Sequence, residues 1–159
     1  MNVKIACVGR LKEQFWKDAV REYEKRLSRY AHIKIVEVED EKAPEKFSAS
    51  QADEAKRKEG EKLLRCVDGG GYVIALDVQG EKMGSERFAA LLEKLALSGK
   101  STICFLIGGS LGLSPDVLSR ADMRLSFSDM TFSHQLMRPV LMEQIYRAFK
   151  IIRGETYHK

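Results

Sequence analysis

The residues best suited to chemistry crowd into the last third of the chain. His134 and Arg138 stand four apart in a segment with helical periodicity, so they share one face. An imidazole there titrates near neutral pH and can serve as acid or base, or it can simply cap or pack locally. Arg138 can pair with a phosphate, or with Glu143 or Asp129. Just upstream, Phe127-Ser128-Asp129-Met130-Thr131-Phe132 offers hydroxyls and backbone amides ahead of a long helix. Further back, Gly108-Gly109-Ser110-Leu111-Gly112 places three glycines in five residues, which lets a backbone approach a ligand closely. The chain ends on Tyr157-His158-Lys159: a ring that can stack on a base, an imidazole and a cation. The competing reading for such an end is an empty, frayed terminus.

The elements that must position these groups alternate between strand and helix, the pattern of an α/β domain. Val3 to Val8 reads as a strand closed by Gly9, and a helix follows from Lys12 to Tyr30, with Phe15, Ala19, Tyr23 and Leu27 on one face, widened by Trp16 and Val20. Ile33 to Val38 is a second strand. The charged stretch Glu39 to Glu61, with its single Pro44, is expected to be exposed and mobile around Glu41 to Ser50 and helical from Gln51 to Cys66. Tyr72 to Val78 and Ser101 to Ile107 are nearly all-apolar strands, joined by a helix capped by Ser85 and ending at Ser98-Gly99. That combination describes a parallel βαβ unit covered on both faces. Ser114-Pro115 starts another helix, Met123 to Phe127 is a last strand, and Ser133 to Ile152 is the final helix. Its apolar residues, Leu136, Met137, Val140, Leu141, Ile145, Ala148 and Ile152, form a band wide enough to suggest a second burial partner such as another subunit.

Ligands of open α/β sheets bind outside the carboxyl ends of the strands. Three exits carry loop-type residues: Gln79-Gly80-Glu81, the glycine loop from Gly108, and the segment Phe127 to Phe132. The glycine loop is neither a P-loop nor a G-x-G-x-x-G fingerprint, and a bare Gly-Gly can be only a tight turn. No cluster of lysines and arginines is present for a triphosphate. Adenosylmethionine, which carries no phosphate, suits such a site better than a nucleotide.

With 159 residues, 44% hydrophobic and 31% charged, the chain has the size and composition of one globular domain. No run has the length of a membrane span, and the first residues lack a secretory pattern. Cys7, Cys66 and Cys104 are too widely spaced for a disulfide framework or a zinc site, so reduced thiols, no metal and a cytoplasmic location are expected. A formal charge of +4 and a pI near 8.9 are compatible with a polyanionic partner without requiring one.

Taken together, Phe105-x-Ile107-Gly108-Gly109-x-x-Gly112, Leu125-Ser126, Met130-Thr131-x-x-His134-Gln135-x-x-Arg138, Leu141-x-Glu143-Gln144-x-Tyr146-Arg147-Ala148 and Tyr157-His158-Lys159 resemble the large-subunit ribosomal RNA methyltransferase H family of the SPOUT class. The match runs over the whole length, including Val3 to Gly9 and Leu76-Asp77-x-x-Gly80; Ser133 departs from the proline common at that place, and Lys159 keeps the terminal charge without an arginine's fork. The resemblance implies a single SPOUT domain over 1–159, with a mostly parallel sheet flanked by helices and a C-terminal deep trefoil knot. It implies a homodimer that methylates N3 of a pseudouridine on the ribosome, with adenosylmethionine lined by Leu76, Gly108 and Phe127 to Phe132. Tyr157, His158 and Lys159 would complete the partner's pocket. On that reading His134 and His158 are candidates for proton removal, Arg138 and Lys159 for stabilising the developing anion or contacting phosphate, Tyr157 for stacking, and Glu143 for orienting Arg138 or His134. The rivals are a SPOUT enzyme acting on tRNA or another rRNA base, and a non-catalytic ribosome-binding module.

Overall fold

The computed structural model describes residues 1–42, 46–67 and 69–157. His158, Lys159 and Pro44 of the expected linker lie outside them. The described elements run β1 (Asn2–Val8), α1 (Gln14–Leu27), β2 (His32–Val38), α2 (Ala49–Leu64), β3 (Tyr72–Lys82), α3 (Ser85–Leu97), β4 (Thr102–Ile107), α4 (Pro115–Arg120), β5 (Met123–Ser126) and α5 (His134–Ile152). The strands form one sheet in the order β2-β1-β4-β3-β5, and every pair is parallel.

Alternation along the central strands divides the core. Val3, Ile5 and Cys7 of β1 and Ile103, Phe105 and Ile107 of β4 face α1, α3 and α5. Ala6 and Val8, with Cys104 and Leu106, face the other way, onto α2 and α4. The period-2 geometry of a strand produces both layers from near-continuous apolar runs. α5 packs between α1 and α3, so Leu141, Ile145 and Ala148 of its apolar band are buried within the chain itself. Leu136, Met137, Val140 and Ile152 remain only half-buried.

Several expectations need correction. β3 does not end at Val78: its pairing with β5 resumes at Glu81 after a register shift, so Asp77 to Gly80 bulges from the sheet instead of forming a simple exit loop. Ser85 does not cap α3; Gly84 holds the cap position, and the Ser85 hydroxyl donates to Gln144 Oε1 at 2.8 Å. Phe15, placed on the inward face of α1, is 60% exposed. The beginning of the expected linker is tied down, because Glu41 pairs with Lys62 and its amide donates to Glu59. Ser114 does cap α4, with Pro115 behind it, and Ser133 caps α5 through the Leu136 amide. α5 continues through Pro139, whose missing N–H leaves the Gln135 carbonyl without its intrahelical donor.

Candidate functional site

A cleft of about 530 Å³ opens at the carboxyl ends of β3, β4 and β5, within the roughly 300–1,000 Å³ usual for small-molecule sites. Its walls are the bulge from Leu76 to Val78, the glycine loop from Gly108 to Gly112, and the segment from Phe127 to the start of α5. The three predicted segments therefore converge. Leu76, Gly108, Phe127, Ser128, Met130, Thr131 and Phe132 all line the cleft. Asp129 does not: its carboxylate turns away to pair with Lys82.

Gly108 shows why this loop is built of glycine. A β-carbon there would lie 2.8 Å from the carbonyl carbon and oxygen of Gly112, closer than packed atoms approach. The bulge is fixed from behind, where Arg124 Nε donates to Asp77 at 2.8 Å. Among the described residues no lysine or arginine lines the cleft, so the site offers main-chain groups, hydroxyls, Asp77, His134 and apolar walls instead of a phosphate cradle.

His134 lines the same cleft, and its Nε2 edge faces Gly9 at the end of β1. Gly9 has φ +83°, and a β-carbon on it would sit 3.3 Å from that nitrogen. Burial and the nearby positive charge of Arg138 hold the imidazole below its ordinary pKa, with Lys12 acting the same way and Asp40 opposing. The ring is accordingly neutral at physiological pH and able to accept a proton.

Arg138 departs from its expected role as a cation for substrate. It is 1% exposed, so it cannot reach a phosphate or a base. Its guanidinium pairs with Glu37 and donates to the carbonyls of Val8 and Gly9, not to Asp129 or Glu143. Glu143 orients neither Arg138 nor His134; it accepts from Arg147 Nε at 3.0 Å and from Tyr157 Oη at 3.2 Å, at the middle of α5. Tyr157 packs edge-on against Tyr146 with ring centres 4.9 Å apart, under the Arg147 guanidinium. Its phenol is pushed up to about 12, by burial first and then by Tyr23 and Glu143, so it remains a donor. Of the candidate catalytic groups described, only His134 meets the cleft.

Two acids were missed by sequence reasoning. Glu37 carries only the weak signal of a carboxylate among the apolar residues of β2. Glu59, 4% exposed, hides within a charged helix; it lies beneath Gly109, and burial raises its pKa. Cys7 and Cys104 are buried as expected, and burial lifts the Cys7 thiol to about 12, which leaves it unreactive. Among the described residues no cluster of His, Cys, Asp and Glu could hold a metal, and no helix is long and apolar enough to cross a membrane.

Comparison with known proteins agrees with this geometry. A family model described as a predicted SPOUT methyltransferase matches residues 1–158. The ribosomal RNA large subunit methyltransferase H of Clostridium kluyveri is 55% identical over 159 residues, covering 100% of each chain. The proteins of the same name from Clostridium novyi and Clostridioides difficile are 57% and 52% identical, again over 100% of each chain. Among solved structures, a probable methylase family protein from Haemophilus influenzae superposes with a TM-score of 0.61 at 12% identity, over 99% of this chain and 70% of that one. At such low identity the likeness concerns the fold alone.

Proposed function

From the premise that this chain belongs to the SPOUT methyltransferase family, we propose that it transfers a methyl group from S-adenosylmethionine to N3 of a pseudouridine in large-subunit ribosomal RNA. The substrate is the assembled ribosome or large subunit, in the cytoplasm, and one SPOUT domain spans 1–159. The observation that carries this reading is the cleft, where three strand-end segments meet with no lysine or arginine among the described lining residues. Such walls fit a ligand that is itself cationic and lacks phosphate. Leu76, Gly108 and the segment from Phe127 to Phe132 hold it, apart from Asp129, which faces Lys82.

Bound adenosylmethionine supplies an electrophilic methyl group on a sulfonium. The protein's task is alignment and removal of one proton. N3 of pseudouridine lies between two carbonyls and must lose its proton before or during attack. His134, desolvated and neutral at the edge of the cleft, takes that proton. The net result is one new N–CH3 bond, one broken S–CH3 bond and one proton passed to the imidazole.

The tail belongs to the other protomer of a homodimer. Glu143 stands at the middle of the 19-residue α5, roughly 14 Å along the axis from His134 at its start. Tyr157 folds back onto the middle of that helix, where its hydroxyl donates to Glu143, and it does not line its own chain's cleft. Tyr157, with His158 and Lys159, completes the partner's site by stacking on the base, assisting proton removal and stabilising the developing anion. The half-buried Leu136, Val140 and Ile152 on α5 supply apolar surface for this dimer. The C-terminal segment is tied in a trefoil knot, a reading supported by its course from the edge strand β5 across the strand ends to Gly9.

Calorimetry with adenosylmethionine, followed by mass spectrometry of ribosomal RNA from a deletion strain, tests the function. Binding together with loss of one methyl from a pseudouridine is expected. Absence of binding would leave a ribosome-binding module; binding with that pseudouridine unchanged would leave tRNA or another rRNA base as the target.

A further inference from the structure

We propose that Glu37 and Arg138 form a positioning pair that seats His134 in the cleft by locking the first turns of α5 onto the ends of β1 and β2. This rests on the reading of His134 as the base. A buried guanidinium is costly unless paired, and a buried ion pair is often no more stabilising than apolar residues of the same volume. Stability is therefore a weak reason for a fully buried arginine at the foot of a cleft. Its contacts suggest another. Arg138 reaches the carbonyls of Val8 and Gly9, the last of β1 and the residue that faces the imidazole. Its partner Glu37 comes from the last turn of the pleat in β2, and the same Glu37 oxygen accepts from the Leu11 amide at 3.2 Å. One carboxylate thus ties β2, the loop after β1 and α5 together.

A second clamp acts on the same turn, because the Lys12 amide donates to Gln135 Oε1 at 3.2 Å. His134 lies one residue before Gln135 and one turn before Arg138, so both attachments fix the turn that carries it. The arrangement also sets its charge state. The groups facing the ring are Arg138 on α5 and Lys12 after β1, which oppose imidazolium, and Asp40 after β2, which favours it. Asp77, across the cleft, is already engaged by Arg124. Arg138 therefore acts on His134 in two separable ways, through geometry and through charge.

Three variants separate them. Arg138→Lys keeps the charge and loses the fork; Arg138→Met loses both; Glu37→Gln keeps an acceptor and weakens the clamp. The readouts are an NMR titration of the His134 ring in the full chain, assigned with His134→Asn, and the pH profile of kcat/KM. In the unmodified protein His134 should titrate below the ordinary histidine value. Arg138→Lys should leave that titration low and reduce kcat roughly 10- to 100-fold, as expected for a misplaced group, with KM for adenosylmethionine unchanged. Arg138→Met should raise the titration and move the acid limb of kcat/KM to higher pH by the same shift. Glu37→Gln should reduce kcat with the titration unmoved. If Arg138→Met does not fold, the other two variants still decide. The pair has no positioning role if Arg138→Lys and Glu37→Gln keep full kcat, and Arg138 has no effect through charge if Arg138→Met leaves the His134 titration unmoved. Full activity of His134→Ala would instead discard the base itself, while the titrations would still report whether the pair seats the ring.

Discussion

The two ends of α5 are built on opposite plans. At the first turns, a buried arginine, two strand-end carbonyls and a glycine without a side chain hold a desolvated imidazole against the cleft. At the last turns, Tyr30, Tyr146 and Tyr157 carry cations on their faces, and the ion pairs Arg147–Glu143 and Lys150–Glu155 lie near the surface. The first end is complete within one chain. The second gathers aromatic and cationic groups beside a cavity of about 170 Å³, against about 530 Å³ at the first. In the proposed homodimer the imidazole of one protomer and the tyrosine of the other come together.

The largest effect should come from removing the far end. Deleting Tyr157 to Lys159 should abolish methylation while adenosylmethionine affinity persists and the thermal transition falls only slightly, through loss of the Tyr157 contacts to Tyr146 and Glu143. Wild-type turnover would show that the two ends work independently. Mixing the deletion with a His134→Ala chain sharpens the point: heterodimers should regain one working site out of two. Next in size is His134→Ala, which should lower kcat about 100- to 10,000-fold, the range for a lost general base, with cofactor binding intact by calorimetry. Gly108→Ala should act on binding instead. The added methyl overlaps the Gly112 backbone, and overpacking of about 1–3 kcal/mol would weaken adenosylmethionine about 5- to 150-fold.

Much of the near end was legible in the sequence. The apolar runs at Val3 to Val8 and Ser101 to Ile107 could be nothing but buried strands, and the three strand exits followed from them. What failed was everything set by long-range pairing. The bulge at Asp77 to Gly80 depends on β5 lying beside β3, some forty residues later, and no local signal distinguishes it from a turn. Arg138 looked like a substrate ligand because a cation beside a histidine is exposed in most helices; here three elements close over it. Phe15 fits the helical stripe that reads as core, yet it lies exposed with its ring edge-on to Trp16. Identity and spacing predict which groups share a face. They do not predict which neighbour covers that face.

The smallest effect is the dependence of stability on pH, and it too should divide α5 in two. His134 has a folded-state pKa below its ordinary value of 6.5, so the unfolded chain binds more protons between the two values. Stability should rise with pH through that window and level off above it. Glu155 behaves differently. Its hydrogen bonds from Lys150 and Tyr30 lower its pKa from 4.5, so the stability it contributes is present above that value and is lost as pH falls through the folded-state pKa. Urea unfolding at several pH values should therefore show a slope between about pH 5 and 7 that His134→Gln flattens, in the interval where free histidine titrates, and that Glu155→Gln leaves unchanged. If Glu155→Gln flattened the slope as well, the near end would not be the separate, internally completed unit that its hydrogen bonds describe.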